Sequence, residues 1–165
     1  MKKVNFKKHP VTLSGNTPET GIKAPSFTLV KSDLAAISLE DFKGKTLVLN
    51  IFPSLDTAVC ATSVRKFNKL ASNMKDTLVL AISRDLPFAH SRFCTTEGID
   101  NVIALSDFRN TDFSKNYGVL MEDGPLQGLL ARAVVIIDPE QIVRYVQLVP
   151  EITQEPDYDE VLRHL

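Results

Sequence analysis

Residues 46–60 read TLVLNIFPSLDTAVC. From Thr46 to Phe52 the chain is a nearly continuous apolar run, interrupted by Asn50 and bounded by Gly44 and Pro53. That pattern predicts a strand buried on both faces. Beyond Ala58 the period changes. Val64, Phe67, Leu70, Ala71 and Met74 recur on one side, while Arg65, Lys66, Asn68 and Lys69 fill the other. This spacing predicts an amphipathic helix over 58–74. Pro53 to Asp56 form the connecting loop, and Asp56 or Thr57 has the side chain of a helix N-cap. Strand, proline loop and helix start therefore follow one another within fifteen residues.

Working outward, Thr77 to Ser83 reads as a second buried strand, and Pro87 to Thr96 as a helix with Gly98 just past its end. Val102 to Leu105 predicts a short strand and Asp112 to Tyr117 a short helix. Ala133 to Ile137 and Ile142 to Leu148 predict strands joined by the loop Asp138-Pro139-Glu140-Gln141, followed by a closing helix over Tyr158 to Leu165. Toward the N-terminus, Val4 to Lys7 and Val11 to Ser14 flank His9-Pro10 and predict a β-hairpin. Phe27 to Val30 predicts a strand and Leu39 to Phe42 a short turn of helix. The order is β-α-β-α with parallel crossovers, then an antiparallel hairpin and a helix. It predicts an α/β protein with a central mixed sheet flanked by helices on both faces, in one domain over 1–165. This is the element order of the thioredoxin-like architecture, although order alone does not single that fold out.

Composition narrows the function classes. The 165 residues carry 19 basic against 20 acidic side chains, with no long run of one sign. Strong attraction for nucleic acid is not expected. Two cysteines are too few for a disulfide-stapled scaffold. Cys60, Cys94 and the scattered His9, His90 and His164 offer poor prospects for a four-ligand zinc site, and the histidines are expected at the surface or at helix ends. The basic N-terminus is not followed by an apolar stretch, and the longest apolar run is far too short to span a bilayer. The expectation is a soluble, cytoplasmic protein without a membrane partner, whose cysteines are reactive or simply buried.

Cys60 is the most informative residue. It falls in the first turn of the predicted helix, where unpaired N–H groups and the helix dipole favour negative charge. It also lies beyond the carboxyl end of a parallel strand, where open α/β sheets place ligands. A lone helical cysteine is ordinarily a small core residue; this setting favours a nucleophile. An unperturbed thiol is only a few per cent thiolate at neutral pH. A helix terminus contributes about 0.3–1 kcal/mol, so a cation is required. Arg132 is the best candidate, because it stands alone among the small and apolar residues of Gly128 to Ala133. A plain structural ion pair is the alternative for Arg132. Thr57 has two readings, a simple cap or a hydroxyl offered to the sulfur three positions on. Cys94, within Ser91-Arg92-Phe93-Cys94-Thr95-Thr96, reads by itself as a core cysteine.

At these residues a family likeness becomes visible. Pro53-x-x-x-Thr57-x-x-Cys60 resembles the active-site signature of the peroxiredoxins. The string from Asp56 to Asn68, then Asp85-Leu86-Pro87-Phe88-Ala89, Ser91-Arg92-Phe93-Cys94, Asp123-Gly124-Pro125-Leu126 and Ala131-Arg132-Ala133-Val134, resembles their atypical two-cysteine thiol peroxidase branch. The likeness runs over nearly the whole chain. Ala58 departs from it, since many relatives carry Pro or Gly there.

The resemblance implies roles. Cys60 would be the peroxidatic cysteine and Cys94 the resolving one. Pro53 would shield the sulfur, Thr57 would hydrogen-bond the peroxide, and Arg132 would stabilise the thiolate and the departing oxygen. Hydrogen peroxide or an organic hydroperoxide would oxidise Cys60 to a sulfenic acid. Cys94 would close an intramolecular disulfide, and thioredoxin would reduce it. A homodimer is implied, and no cofactor is needed because sulfur carries both electrons. A disulfide requires Cα atoms no more than about 7 Å apart, which predicts local unwinding of one or both cysteine-bearing helices. The rivals are a thiol–disulfide oxidoreductase, which normally uses C-x-x-C where this chain has Thr57 to Cys60, a redox sensor, and a thioredoxin-like binding module with inert cysteines.

Overall fold

The computed structural model describes residues 2–165. In chain order the elements are β1 (Lys3–Phe6), β2 (His9–Ser14), β3 (Thr28–Lys31), β4 (Ala36–Ser38), a 3-10 turn (Leu39–Phe42), β5 (Thr46–Ile51), α1 (Ala58–Ala71), β6 (Thr77–Ser83), α2 (Pro87–Glu97), β7 (Val102–Ser106), α3 (Asp112–Asn116), β8 (Leu120–Met121), β9 (Ala133–Ile137), β10 (Val143–Leu148) and α4 (Tyr158–Arg163). Seven strands form a mixed sheet in the order β10-β9-β5-β6-β7-β3-β4. β5, β6 and β7 are parallel neighbours. β9 runs antiparallel beside β5, and β10 antiparallel beside β9. The N-terminal hairpin pairs with β8 in a second, three-stranded sheet.

Alternation along the central strands builds two cores. Val48, Val79, Ala81, Val134 and Ile136 face α1, α2 and α4, meeting Phe67, Phe93 and Val161. Leu47, Leu49, Ile51, Leu80, Ile82, Val135 and Ile137 face the other way, toward the hairpin, the 3-10 turn and α3. On that side Phe27, Phe113 and Tyr117 form an aromatic cluster, with Phe113 and Tyr117 stacked at 4.6 Å between ring centres. Helices thus cover both faces, as the continuous apolar runs require. Among the described residues no helix is long and apolar enough to cross a membrane.

The sequence-based expectations differ from the structure in detail. β4 and β8, three and two residues long, were too short to leave a periodic signal. α1 stops at Ala71 rather than residue 74, because the chain turns at Ser72 and Asn73. α2 ends where expected: Gly98, at φ 65°, takes the left-handed cap conformation.

Candidate active site

The carboxyl ends of β5 and β6 place two loops side by side: Phe52–Asp56, leading into α1, and Arg84–Leu86, leading into α2. Thr57 is the N-cap of α1, with extended backbone at φ −102° and ψ 144°. Its hydroxyl donates to the Ser54 carbonyl at 3.0 Å and accepts from the Cys60 N–H at 3.4 Å. The Thr57 hydroxyl proton is therefore engaged with Ser54 and turned away from the sulfur. Cys60 sits at the third helical position.

The Cys60 backbone is held at both ends. Its carbonyl accepts the Ser63 hydroxyl at 2.8 Å, and that hydroxyl accepts from Asn50 Nδ2 at 3.2 Å. Asn50 is the one buried polar residue of β5, and it is wholly enclosed. It pins the first turn of α1 to the strand beneath.

Arg132 enters from the residue preceding β9. Its Nη2 lies 3.2 Å from Cys60 Sγ, and its Nε donates to the Ile152 carbonyl at 3.0 Å. Both side chains are enclosed, Cys60 at 0% and Arg132 at 1% exposure. A buried guanidinium needs a partner, and a sulfur that gains negative charge supplies one. The Nη1 group of Arg132 is buried and has no partner among the described residues. Pro53 is also buried, in the loop between β5 and α1. Thr57, Cys60 and Arg132 thus come from two distant segments to one locus, and Pro53 lies in the loop that leads to it.

Cys94 stands apart, in the last turn of α2, half-buried against the same core cluster that holds Cys60. Both thiols are free. Burial pushes the Cys94 thiol up from its ordinary value, so in this conformation it stays protonated at neutral pH.

A polar network beside the site escaped the sequence reading. Asp85, between β6 and α2, accepts from Ser54 Oγ at 2.7 Å, from the Leu55 N–H at 2.8 Å and from Ser83 Oγ at 2.6 Å. Ser83 Oγ lies 2.9 Å from His90 Nε2. With the Ser83 proton given to Asp85, the imidazole donates through Nε2, which leaves Nδ1 as an acceptor without a partner among the described residues. His90 is fully enclosed, not at the surface or a helix end as expected: the position falls on the sheet-facing side of α2, where Ser83 gives its ring a polar contact. His9 is exposed on β2, and His164 caps α4, as expected. Burial lowers the His90 pKa to about 4, against a smaller opposing pull from Asp85. The available signal for Asp85 was its place two residues before a helix-opening proline, facing a serine in the neighbouring loop.

Comparison with known proteins shows the family. A family model described as Redoxin matches residues 19–162. A thiol peroxidase of Corynebacterium glutamicum is 51% identical over 165 residues, spanning 100% of this chain and 99% of that protein. A thiol peroxidase of Leptospira interrogans is 50% identical, spanning 96% of this chain and 94% of its own length. The crystal structure of a peroxiredoxin-like protein from Aquifex aeolicus superposes with a TM-score of 0.93 at 48% identity, covering 99% of this chain and 95% of that one. The chain belongs to the Redoxin family, in its thiol peroxidase branch, and the fold is the thioredoxin-like one of the peroxiredoxins.

Proposed function

We propose that this protein is a thiol-dependent peroxidase that reduces hydroperoxides through Cys60. The observation that carries the reading is Arg132 Nη2 at 3.2 Å from Cys60 Sγ in the first turn of a helix, with Nη1 of the same guanidinium left without a partner. One nitrogen faces the attacking sulfur. The other is a spare donor for the oxygen that gathers charge.

The Cys60 thiolate attacks the near oxygen of the peroxide in line with the O–O bond. That bond breaks, sulfur takes one oxygen as sulfenic acid, and the far oxygen leaves as water or an alcohol after taking a proton. Charge passes from sulfur to oxygen along a path already flanked by guanidinium N–H groups, which lowers the barrier. Pro53 closes the loop against water. Thr57 acts by holding the Cys60 N–H and the helix start in place. The sulfenic acid then condenses with the Cys94 thiol, forming the disulfide and releasing water. Cys94 is protonated and packed while α2 is intact, so opening of the last turn of α2 both frees and activates it.

Thioredoxin or a similar dithiol protein completes the cycle by exchange. We place this cycle in a reducing cytoplasm, where a persistent structural disulfide is rare. Leu86 and Phe88, 51% and 66% exposed beside the site, support a homodimer that covers them.

A steady-state assay with thioredoxin, thioredoxin reductase and NADPH across a peroxide series tests the proposal. Saturable NADPH consumption that depends on peroxide and on Cys60 is expected. Disulfide reduction of insulin without peroxide turnover would place the protein among the oxidoreductases instead.

A further inference from the structure

Resting on the peroxidase reading, we propose that Asp85 is a positioning residue that latches the Cys60 loop shut and thereby sets how the sulfenic acid is consumed. One carboxylate, 10% exposed in its side chain, gathers three hydrogen bonds. Two reach the loop before α1, at Ser54 Oγ and the Leu55 N–H, and one reaches Ser83 at the end of β6. Its own carbonyl accepts the Ser106 hydroxyl at 2.5 Å, which anchors the bearing residue to β7. The latch therefore joins the carboxyl ends of two central strands to the loop that leads into the Cys60 helix.

Its reach extends to the reacting atom. Asp85 fixes Ser54, the Ser54 carbonyl accepts the Thr57 hydroxyl, and that hydroxyl accepts the Cys60 N–H. The same residue stands two positions before α2, which carries Cys94. The ion pair Arg92–Asp56 also spans α2 and the loop at 3.5 Å, but it is largely exposed and contributes little. Hydrogen bonds to a carboxylate sheltered from water are the stronger tie.

Two fates compete for the sulfenic acid. Cys94 converts it to a disulfide with loss of water, which requires the loop or α2 to open. A second hydroperoxide, attacked while the site is still closed, converts it to a sulfinic acid and releases water or an alcohol. A latch that lengthens the closed state speeds the first oxidation, through a preorganised geometry, and exposes the sulfenic acid longer to the second. Weakening the latch shifts the population toward the open form.

The test compares wild type with Asp85→Asn and Ser54→Ala by rapid quench and mass spectrometry, scoring sulfenic, disulfide and sulfinic species of Cys60 at rising hydrogen peroxide. Asp85→Asn is expected to slow the first oxidation about tenfold, while the ratio of disulfide to sulfinic product rises. Ser54→Ala, which removes one strut and keeps the carboxylate, moves both quantities the same way by a smaller factor. It carries the test alone if Asp85→Asn does not fold. An unchanged ratio, or a ratio that falls, overturns the latch. Failure of the wild type to form sulfenic acid or disulfide overturns the peroxidase reading itself, so the two failures are distinguishable.

Discussion

Arg132 Nε donates to the Ile152 carbonyl at 3.0 Å, and this bond decides which way the guanidinium faces. With Nε tied to the chain beyond β10, Nη2 is directed at Cys60, and Nη1 is left without a partner among the described residues. A lysine has no fork with which to hold one contact while presenting two others. Arg132→Lys is therefore expected to slow Cys60 oxidation about 100-fold, the scale of losing a preorganised donor. Rapid-quench mass spectrometry measures that rate, and a rate within threefold of wild type would remove the fork geometry from the mechanism.

The two cysteines should separate cleanly in a single-turnover experiment. Cys94→Ser consumes one equivalent of peroxide and stops with Cys60 as sulfenic acid, trapped by a dimedone adduct. Cys60→Ser consumes none. Continued turnover of Cys94→Ser with thioredoxin alone would assign resolution to another thiol.

Thr57 bonds the Cys60 N–H and the Ser54 carbonyl, and no bond links its hydroxyl to the sulfur. Thr57→Ser keeps both bonds, whereas Thr57→Val keeps the shape and loses both. The valine variant is expected to lose about 1 kcal/mol of stability, as for other missing N-caps, together with peroxidase rate. Urea unfolding and single-turnover rates on the pair decide it. Equal behaviour of the two variants would contradict the capping role.

His90 and Asp107 make opposing demands on pH. His90 protonates near 6.5 when unfolded and only at about 4 when folded. The unfolded chain binds more protons in that window, so its stability contribution is present above 6.5 and is lost as pH falls through about 4. Burial pushes the Asp107 carboxyl from 3.8 up to about 7, against the counter-pull of Arg84. Here the folded chain binds more protons, so that contribution is full below 3.8 and is lost as pH rises through about 7. Each slope approaches about 1.4 kcal/mol per pH unit, and the two nearly cancel between pH 4 and 6.5. Asp107→Asn should unmask a fall in stability on acidification. His90→Gln should unmask a fall on alkalinisation. Denaturant midpoints across this range measure both, and parallel profiles for the two variants would refute the compensation.

The strands β5, β6 and β9 were legible because burial on both faces leaves a nearly continuous apolar run, and a run of five to seven residues has little other use in a chain this size. The locus around Cys60 was legible for a local reason, a strand ending in a proline just before a helix cap. Arg132 could be nominated because a lone charge among apolar residues needs a partner, although the carbonyl that orients it belongs to Ile152. Asp85, Ser54 and His90 were not legible. Each is an ordinary polar residue in a turn or on a helix, and their association exists only because two parallel strands end side by side. Burial of His90 was misjudged for the same reason: α2 carries no strong amphipathic pattern from which its inner side can be read.

Cys60 presents no surface at all to solvent. Such a thiol selects by size before it selects by chemistry. A slender two-oxygen molecule needs far less room to reach it than a bulky alkylating reagent, which must wait for the loop to open. The pace at which such a reagent labels this position becomes a clock for the motion of the entrance, and the cell's abundant larger electrophiles are kept from its most reactive atom.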